Sequence, residues 1–170
     1  MNTTTTFGST VPLVPTAEPP SPGDPNRPLS IDRLLALLAH QGLIDEETRR
    51  TLARDAALSS GGRHPLEMIA ARRLRALRVP HETLDLDWLC GWLAQSIGWR
   101  YVRIDPLKVD FSRIAEVMSK AYANRFRILP LEVTPESVTI ATAEPFMTGE
   151  WATELSHTLR RRVVPVLASP

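Results

Sequence analysis

The apolar residues of this chain change their spacing at Gly98, and this change constrains the fold more than any other feature of the sequence. Between residues 29 and 98 they recur every three to four positions, which is the spacing of amphipathic helices. From residue 99 onward they fall into short β-prone runs bounded by turn residues. The sequence therefore predicts an α+β fold, in which an N-terminal helical unit over residues 29–98 precedes a small sheet unit over residues 99–168.

Four helices are predicted in the helical unit from the residues at their ends. Ser30, Asp45 and Asp85 are suited to cap the first, second and fourth helices, and Pro65 is suited to open the third. The third helix is expected to continue as far as the Val79-Pro80 pair, because the residue before a proline disfavours the helical conformation. Four of its apolar side chains are expected to face inward: Leu66, Ile69, Leu74 and Leu77.

The sheet unit is predicted to have the element order β-α-β-β-α-β. Strands are expected at residues 99–104, 127–133, 137–142 and 162–167, and helices at residues 112–119 and 149–159. The second and third strands are close enough for a hairpin, since only Thr134-Pro135-Glu136 separates them. This order predicts a small sheet with helices on one face.

The first 28 residues have a different composition from the rest of the chain. They hold seven of the fifteen prolines, a run of four threonines at residues 3–6 and almost no charge. Such a segment buries too little apolar surface to offset its ordering entropy, so we expect a disordered, partly extended tail over residues 1–28. Because the sequence shows neither a secretion signal nor an apolar run of membrane-spanning length, we expect a cytoplasmic location without direct membrane insertion.

Charge, cysteine and glycine patterns argue against several classes of protein. Lysine and arginine number 20 against 19 acidic residues, which argues against a dedicated nucleic-acid binder. The single cysteine, Cys90, lies on the apolar stripe of the fourth helix and is predicted to be a small buried side chain rather than a nucleophile. The four histidines lack metal-ligand spacing, and no glycines form a P-loop. We therefore expect no catalytic site, metal or cofactor in this chain.

Two groups of side chains are candidates for binding a partner. The first is an arginine cluster, Arg72, Arg73 and Arg75, which together with Arg78 and the arginines at residues 160–162 is suited to phosphates or an acidic protein surface, or else is a solvated helix face. The second is the pair Trp88 and Trp92, four residues apart on the fourth helix and off its leucine stripe. Burial between the two units is the favoured interpretation of this pair, and an exposed aromatic anchor is the alternative.

Two separated segments resemble a known family. Residues 89–102, LCGWLAQSIGWRYV, followed by Ile104-Asp105-Pro106, resemble the helix-then-strand segment of the N-terminal domain of type II secretion ATPases and their type IV pilus assembly relatives. Residues 123–132, ANRFRILPLE, followed by VTIATAEP at 138–145, resemble the A-x-R…L-P-L and l-x-v-A-x-a-x-P pattern of the same domain. Both segments occur in the order and spacing of the family.

The resemblance implies a docking domain rather than a motor. In the family this domain precedes a hexameric P-loop ATPase module and binds the cytoplasmic part of an inner-membrane platform protein, which couples ATP turnover to protein export. The chain would then be non-catalytic and peripheral to the inner membrane through its partner. Similar domains are also attached to bacterial glycosyltransferases, so the identity of the attached enzyme stays open.

The resemblance also implies a second candidate function. Some relatives bind cyclic di-GMP through a tandem helical motif, R-L-G-x-x-L-x-x-x-G-x-[LIV]. The first copy of this motif has Leu35 in place of its first glycine and is matched by Arg33, Leu34, Leu38, Gly42 and Ile44. A second copy would run through residues 64–69, with Arg73 where its second glycine is expected. The alternative interpretation is that Arg33 is a surface residue.

Overall fold

The computed structural model describes residues 27–58, 62–79, 81–109 and 111–170. Within these ranges the chain forms seven α-helices, two short 3₁₀ helices and a three-stranded mixed sheet. Four of the α-helices come first, so the predicted α+β class with an N-terminal helical part is confirmed. The predicted disordered tail lies outside the described residues except for Arg27 and Pro28.

Each helix of the helical part begins at its predicted position. The side chains of Ser30, Asp45 and Asp85 each accept the backbone N–H three residues further on, and Pro65 is the first residue of the third helix. These contacts satisfy N–H groups that have no partner inside the helix. The four helices are α1 (Ile31–His40), α2 (Glu46–Leu58), α3 (Pro65–Ala70) and α4 (Leu86–Ser96).

Helix α1 ends in a left-handed turn that requires glycine. Gly42 has a φ of +68°. Its N–H donates to the carbonyl of Ala39, and the N–H of Leu43 donates to the carbonyl of Leu38, both at 2.9 Å. This pair of hydrogen bonds is the common way to satisfy the last carbonyls of a helix. A Cβ atom at Gly42 would also lie 2.8 Å from Nε of Arg78, so the close approach of that arginine depends on glycine as well.

Helix α3 is shorter than predicted. It ends at Ala70, and residues 71–73 form a turn in which Arg73 has a φ of +47°. This left-handed residue breaks the helical spacing, so the residues beyond it no longer fall on the inner face of a helix. Leu77 is consequently 57% exposed, and its predicted inward orientation is wrong. The other three predicted side chains lie as expected, with Leu66 and Ile69 buried and Leu74 half-buried.

The sheet is built from the three later predicted strands. They are β1 (Ile128–Val133), β2 (Ser137–Thr142) and β3 (Arg162–Leu167), arranged in that order. The first two pair as an antiparallel hairpin with an irregular register between Pro130 and Glu132. The last two pair in parallel and are connected by α7 (Thr148–Leu159), which supplies the crossover that a parallel pair requires.

The predicted strand at residues 99–104 is not formed. Tyr101 makes a single parallel bridge to Leu167, and the chain leaves the sheet where a 3₁₀ helix begins at Pro106 (Pro106–Lys108). The segment is instead fixed to α4 by side chains, since Asp87 accepts hydrogen bonds from the Tyr101 hydroxyl at 2.8 Å and from Nε of Arg103 at 2.6 Å. The predicted order β-α-β-β-α-β is therefore wrong in its first strand.

The single helix predicted at residues 112–119 is two helices, α5 (Phe111–Val117) and α6 (Lys120–Phe126). Ser119 separates them, and its side chain accepts the backbone N–H of Tyr122. A serine hydroxyl that caps a new helix competes with continuation of the old one, which explains the break.

Three clusters of buried apolar side chains stabilise the described part of the chain. The first lies among α1 to α4, the second lies between the sheet and the helices α5 to α7, where Trp151 is fully buried, and the third is a small group of Ala141, Val166 and Ala168. Leu167, at the end of β3, belongs to the helical core and is also fully buried. The helical and sheet parts are therefore joined by shared packing.

Candidate functional site

Most residues of the predicted nucleotide motif form the interior of the helical part. Leu34 and Leu38 are fully buried and Ile44 is nearly so, while Gly42 forms the left-handed end of α1. These four residues determine the shape of the site rather than offering polar groups to a ligand. Arg33 is the member of the set whose side chain reaches the surface with a charge.

The Arg33 guanidinium lies against an aromatic ring from the sheet part. Its central carbon is 3.4 Å from the centroid of the Phe146 ring, which is a close cation–π contact. Partial burial lowers the pKa of Arg33 below its ordinary value. Within the described part of the chain, no carboxylate lies within ion-pair distance of this guanidinium. Its N–H groups are therefore suited to an anionic or carbonyl-bearing ligand.

Two residues before Phe146, a buried carboxylate connects the sheet part to the helical part. Glu144 is 4% exposed and lies two residues after the end of β2. Its Oε2 accepts the backbone N–H of Leu29 at 2.8 Å, just before α1. Its Oε1 lies 3.4 Å from Nε2 of His64, and 3.9 Å from an exposed guanidinium nitrogen of Arg127. We call this cluster of Leu29, His64, Arg127 and Glu144 the Glu144 joint.

The Glu144 joint holds its carboxylate in the charged form. Burial alone would raise the pKa of Glu144, but the contacts to His64 and to the Leu29 N–H outweigh it, so the pKa lies below its ordinary value. His64 also caps α3, because its Nδ1 accepts the backbone N–H of Leu66 at 3.3 Å. Since Nδ1 is an acceptor, Nε2 carries the proton and faces the carboxylate. The joint therefore attaches the starts of α1 and α3 to the end of β2.

The second copy of the motif keeps one backbone feature of the first. The motif expects a glycine at Arg73, and Arg73 adopts the positive φ that glycine favours, as Gly42 does in the first copy. The predicted second copy at residues 64–69 contains the N-cap His64 and most of α3, with Leu66 and Ile69 buried.

The predicted arginine cluster lies on a turn rather than on a helix. Residues 71–79 form what we call the arginine turn, from which Arg72, Arg73 and Arg75 project as exposed side chains. An Nη2–Oδ2 ion pair of 2.9 Å joins Arg72 to Asp55 of α2. The helix predicted for this cluster is therefore wrong, although its side chains are exposed to solvent as that interpretation required.

Backbone hydrogen bonds on both sides fix the arginine turn. The Leu77 N–H donates to the carbonyl of Leu43 at 3.0 Å, and the Ala76 N–H donates to the carbonyl of Glu82 at 3.1 Å. Ala76 is also buried, so the turn is anchored in the helical core between its exposed arginines.

The two tryptophans of α4 stack on each other. Their ring centroids are 6.4 Å apart with an interplanar angle of 10°. Trp92 is 4% exposed, and its Nε1 donates to Oε1 of Gln41 at 2.6 Å at the end of α1. Trp88 is half-buried and contacts the same helical core. Of these two rings, only that of Trp88 has surface that a partner can reach.

Cys90 is fully buried as predicted, and burial raises the pKa of its thiol to about 12. Among the described residues, no three histidine, cysteine or acidic side chains are placed to hold a metal ion. No helix in the described ranges has the length and apolarity needed to span a membrane.

Sequence reasoning missed three residues of these surfaces: Glu144, Phe146 and Leu77. An acidic residue two positions after an apolar strand was the available signal for Glu144. Its partner Leu29 is 115 positions away, which no local pattern reveals. Leu77 was assigned to a helix that ends seven residues earlier.

Known proteins share sequence and fold features with this chain. Residues 97–170 match the MshEN domain. The structure also superposes on a solved structure of MshE with cdg, with a TM-score of 0.54 and 19% sequence identity, covering 80% of this chain and 89% of that one. A structure of the N-terminal domain of XpsE aligns over 84% of this chain and 90% of that one at 16% identity, with a TM-score of 0.40.

A curated relative narrows the assignment. The type IV pilus assembly ATPase TfpB of Acinetobacter baylyi is 36% identical over 108 residues, which is 63% of this chain and 18% of that protein. Residues 97–170 thus match the MshEN domain, and 108 residues of the chain are similar to a type IV pilus assembly ATPase, in agreement with the resemblance seen in the sequence. It spans less than a fifth of that relative's length.

Proposed function

We propose that this chain is a non-catalytic docking and regulatory domain of a bacterial type II secretion or type IV pilus assembly ATPase. It acts in the cytoplasm, where it binds the cytoplasmic part of an inner-membrane platform protein and couples a hexameric ATPase module to export. Its similarity to a type IV pilus assembly ATPase over 108 residues supports this role.

The arginine turn is the observation that carries the docking proposal. Its exposed arginines project from a backbone that is hydrogen-bonded on both sides, so little backbone entropy is lost when a partner binds. Arg73 and Arg75 have no ion-pair partner within the described residues, which leaves their charges for an acidic surface.

Titration calorimetry with the purified cytoplasmic domain of the platform protein from the same genome tests this role. We expect saturable binding that weakens as salt rises, because the surface is cationic. Reversing two charges, Arg73→Glu with Arg75→Glu, should weaken binding roughly tenfold or more. The matched control is a double reversal outside the arginine turn, Arg100→Glu with Arg125→Glu, at two exposed arginines. Absence of binding by the unaltered chain would reject the docking role.

A second candidate function, sensing of cyclic di-GMP, is favoured by Arg33. Its guanidinium lies 3.4 Å from the centroid of the Phe146 ring with no carboxylate partner in the described part, an arrangement suited to a phosphate or a guanine edge. The fold neighbour MshE has been solved with this ligand, cdg. The ligand would bind beside the first motif copy, where the buried Leu34, Leu38 and Ile44 support the start and end of α1.

Calorimetric titration of the chain with cyclic di-GMP tests this second role. We expect binding and ligand-dependent stabilisation, both weakened roughly tenfold or more by Arg33→Ala. Arg125→Ala is the matched control, since Arg125 also lies over a ring, that of Phe126, at 5.0 Å. Equal loss in both variants, or no heat with the unaltered chain, would remove the sensor role and leave docking.

A further inference from the structure

Leu77 is an exposed apolar side chain at the centre of the arginine turn. It is 57% exposed, and its neighbours Arg75 and Arg78 are exposed as well. The N–H of Leu77 donates to the Leu43 carbonyl at 3.0 Å, and the preceding Ala76 is buried. These two anchors hold the backbone so that the Leu77 side chain projects outward in a fixed position.

The charges around Leu77 are left uncompensated. Within the described residues, Arg73, Arg75 and Arg78 lack ion pairs, and Arg72 alone is paired with a carboxylate, that of Asp55. Arg78 packs against Gly42, where the absence of a side chain lets its Nε approach closely. The surface therefore carries one exposed apolar side chain on a hydrogen-bonded segment that also bears three arginines without ion pairs, with one exposed carboxylate, that of Glu82, on the residue bonded to Ala76.

Resting on the docking function proposed above, we propose that Leu77 is the apolar centre of the docking surface. It inserts into an apolar socket bordered by acidic residues on the cytoplasmic part of the platform protein. A central apolar contact that excludes water, with a charged border that orients the partner, is the common anatomy of protein interfaces. A second copy of this chain is disfavoured as the occupant, because it would bring two cationic borders together.

The experiment compares two exposed leucines in the full chain. Leu77→Asp is set against Leu107→Asp, since Leu107 is 96% exposed and lies on the 3₁₀ helix at Pro106–Lys108. Affinity for the purified platform cytoplasmic domain is measured by calorimetry. We expect Leu77→Asp to weaken binding roughly tenfold or more and Leu107→Asp to change it less than about twofold. Both variants should keep the melting temperature of the parent, because neither leucine is buried.

The outcomes separate the two proposals. If the unaltered chain does not bind the platform domain, the docking function and this surface both fail. If it binds and the two leucine variants weaken it equally or not at all, docking stands and the assignment of Leu77 is overturned. Sedimentation with phosphatidylglycerol vesicles supplies a further arm. Binding to these vesicles that Leu77→Asp abolishes, with no effect on the platform domain, would assign the surface to the membrane and overturn the proposal.

Discussion

Three arginines occupy a backbone conformation that side chains usually avoid. Arg73, Arg127 and Arg160 have φ angles of +47°, +51° and +51°, and each follows a helix end. The left-handed region crowds Cβ against the following carbonyl, so each position is strained relative to glycine. The chain keeps arginine there, which places a charge where a glycine would give a more stable turn.

Replacing Arg73 with glycine should stabilise the fold. The relief of crowding outweighs the added freedom of the unfolded chain, so we expect the free energy of unfolding to rise by about 1 kcal/mol. Chemical denaturation followed by circular dichroism measures this difference. The opposite substitution at the first motif copy, Gly42→Ala, should destabilise, because the new Cβ would meet both a positive φ and the Arg78 side chain. A stability loss in Arg73→Gly would contradict the strain interpretation.

The thiol of Cys90 should be inert in the folded protein. Because burial raises its pKa to about 12, almost no thiolate exists at pH 8, and the side chain is not accessible to reagent. We expect Ellman's reagent to react with no cysteine in the native chain and with one in denaturant, since the sequence holds one. Rapid native reaction would show that α4 opens locally.

At the scale of elements, the Glu144 joint determines how the helical part attaches to the sheet. One carboxylate contacts the residue before α1 and the N-cap residue of α3, while the turn that carries it also places Phe146 against Arg33. A change in the Arg33 contact therefore acts on the same short segment that fixes both helix starts.

Removing the charge of Glu144 should weaken this attachment in a pH-dependent way. The folded pKa lies below the ordinary value of 4.5, so the carboxylate adds stability above that pH and loses it as the pH falls through the folded pKa. We expect Glu144→Gln to lower the free energy of unfolding by about 2 kcal/mol near neutral pH, with a smaller difference in acid. Glu132→Gln, at an exposed position of β1, is the control. A pH-independent difference would contradict the role of the charge.

The sequence predicts elements where local signals suffice. The bounds of β2 and β3 and the caps of α1, α2 and α4 agree with their patterns, because strand alternation and capping residues act over a few positions. Residues 99–104 have the composition of a strand but find only one bridge in β3, and a strand requires a partner that composition does not reveal.

The residues of the candidate site also divide into those with a local sequence signal and those without one. Arg33 was predicted from the resemblance to the motif of a known family, and the arginine cluster was predicted from residue type. Phe146 and Glu144 were missed because they act through partners distant in the chain, and Leu77 was missed because the left-handed Arg73 ends the helical spacing. Backbone strain at a non-glycine residue leaves no mark in a single sequence.

At the scale of the whole molecule, Leu167 unites the two parts. It lies in the last strand yet packs fully buried in the helical core, and its backbone also pairs with the segment after α4. The helical and sheet parts should therefore unfold together rather than one after the other.

Truncating Leu167 should destabilise both parts. A cavity at a fully buried leucine reduces the free energy of unfolding by about 3 kcal/mol. Tryptophan fluorescence reports on both parts, through Trp88 and Trp92 in one and Trp151 in the other, and circular dichroism reports on the whole. We expect the two signals to shift together in Leu167→Ala, with no shift in the exposed control Leu107→Ala. Two separate transitions would show that the parts are independent.

The hydrogen bond between Leu29 and Glu144 has a consequence for folding during translation. The two residues are 115 positions apart, and a ribosome needs roughly 6 to 23 s to synthesise that stretch. During this interval the first helix has left the ribosome without the carboxylate that satisfies the N–H before it. The backbone N–H of Leu29 therefore gains its carboxylate partner only after the second half of the chain has been translated.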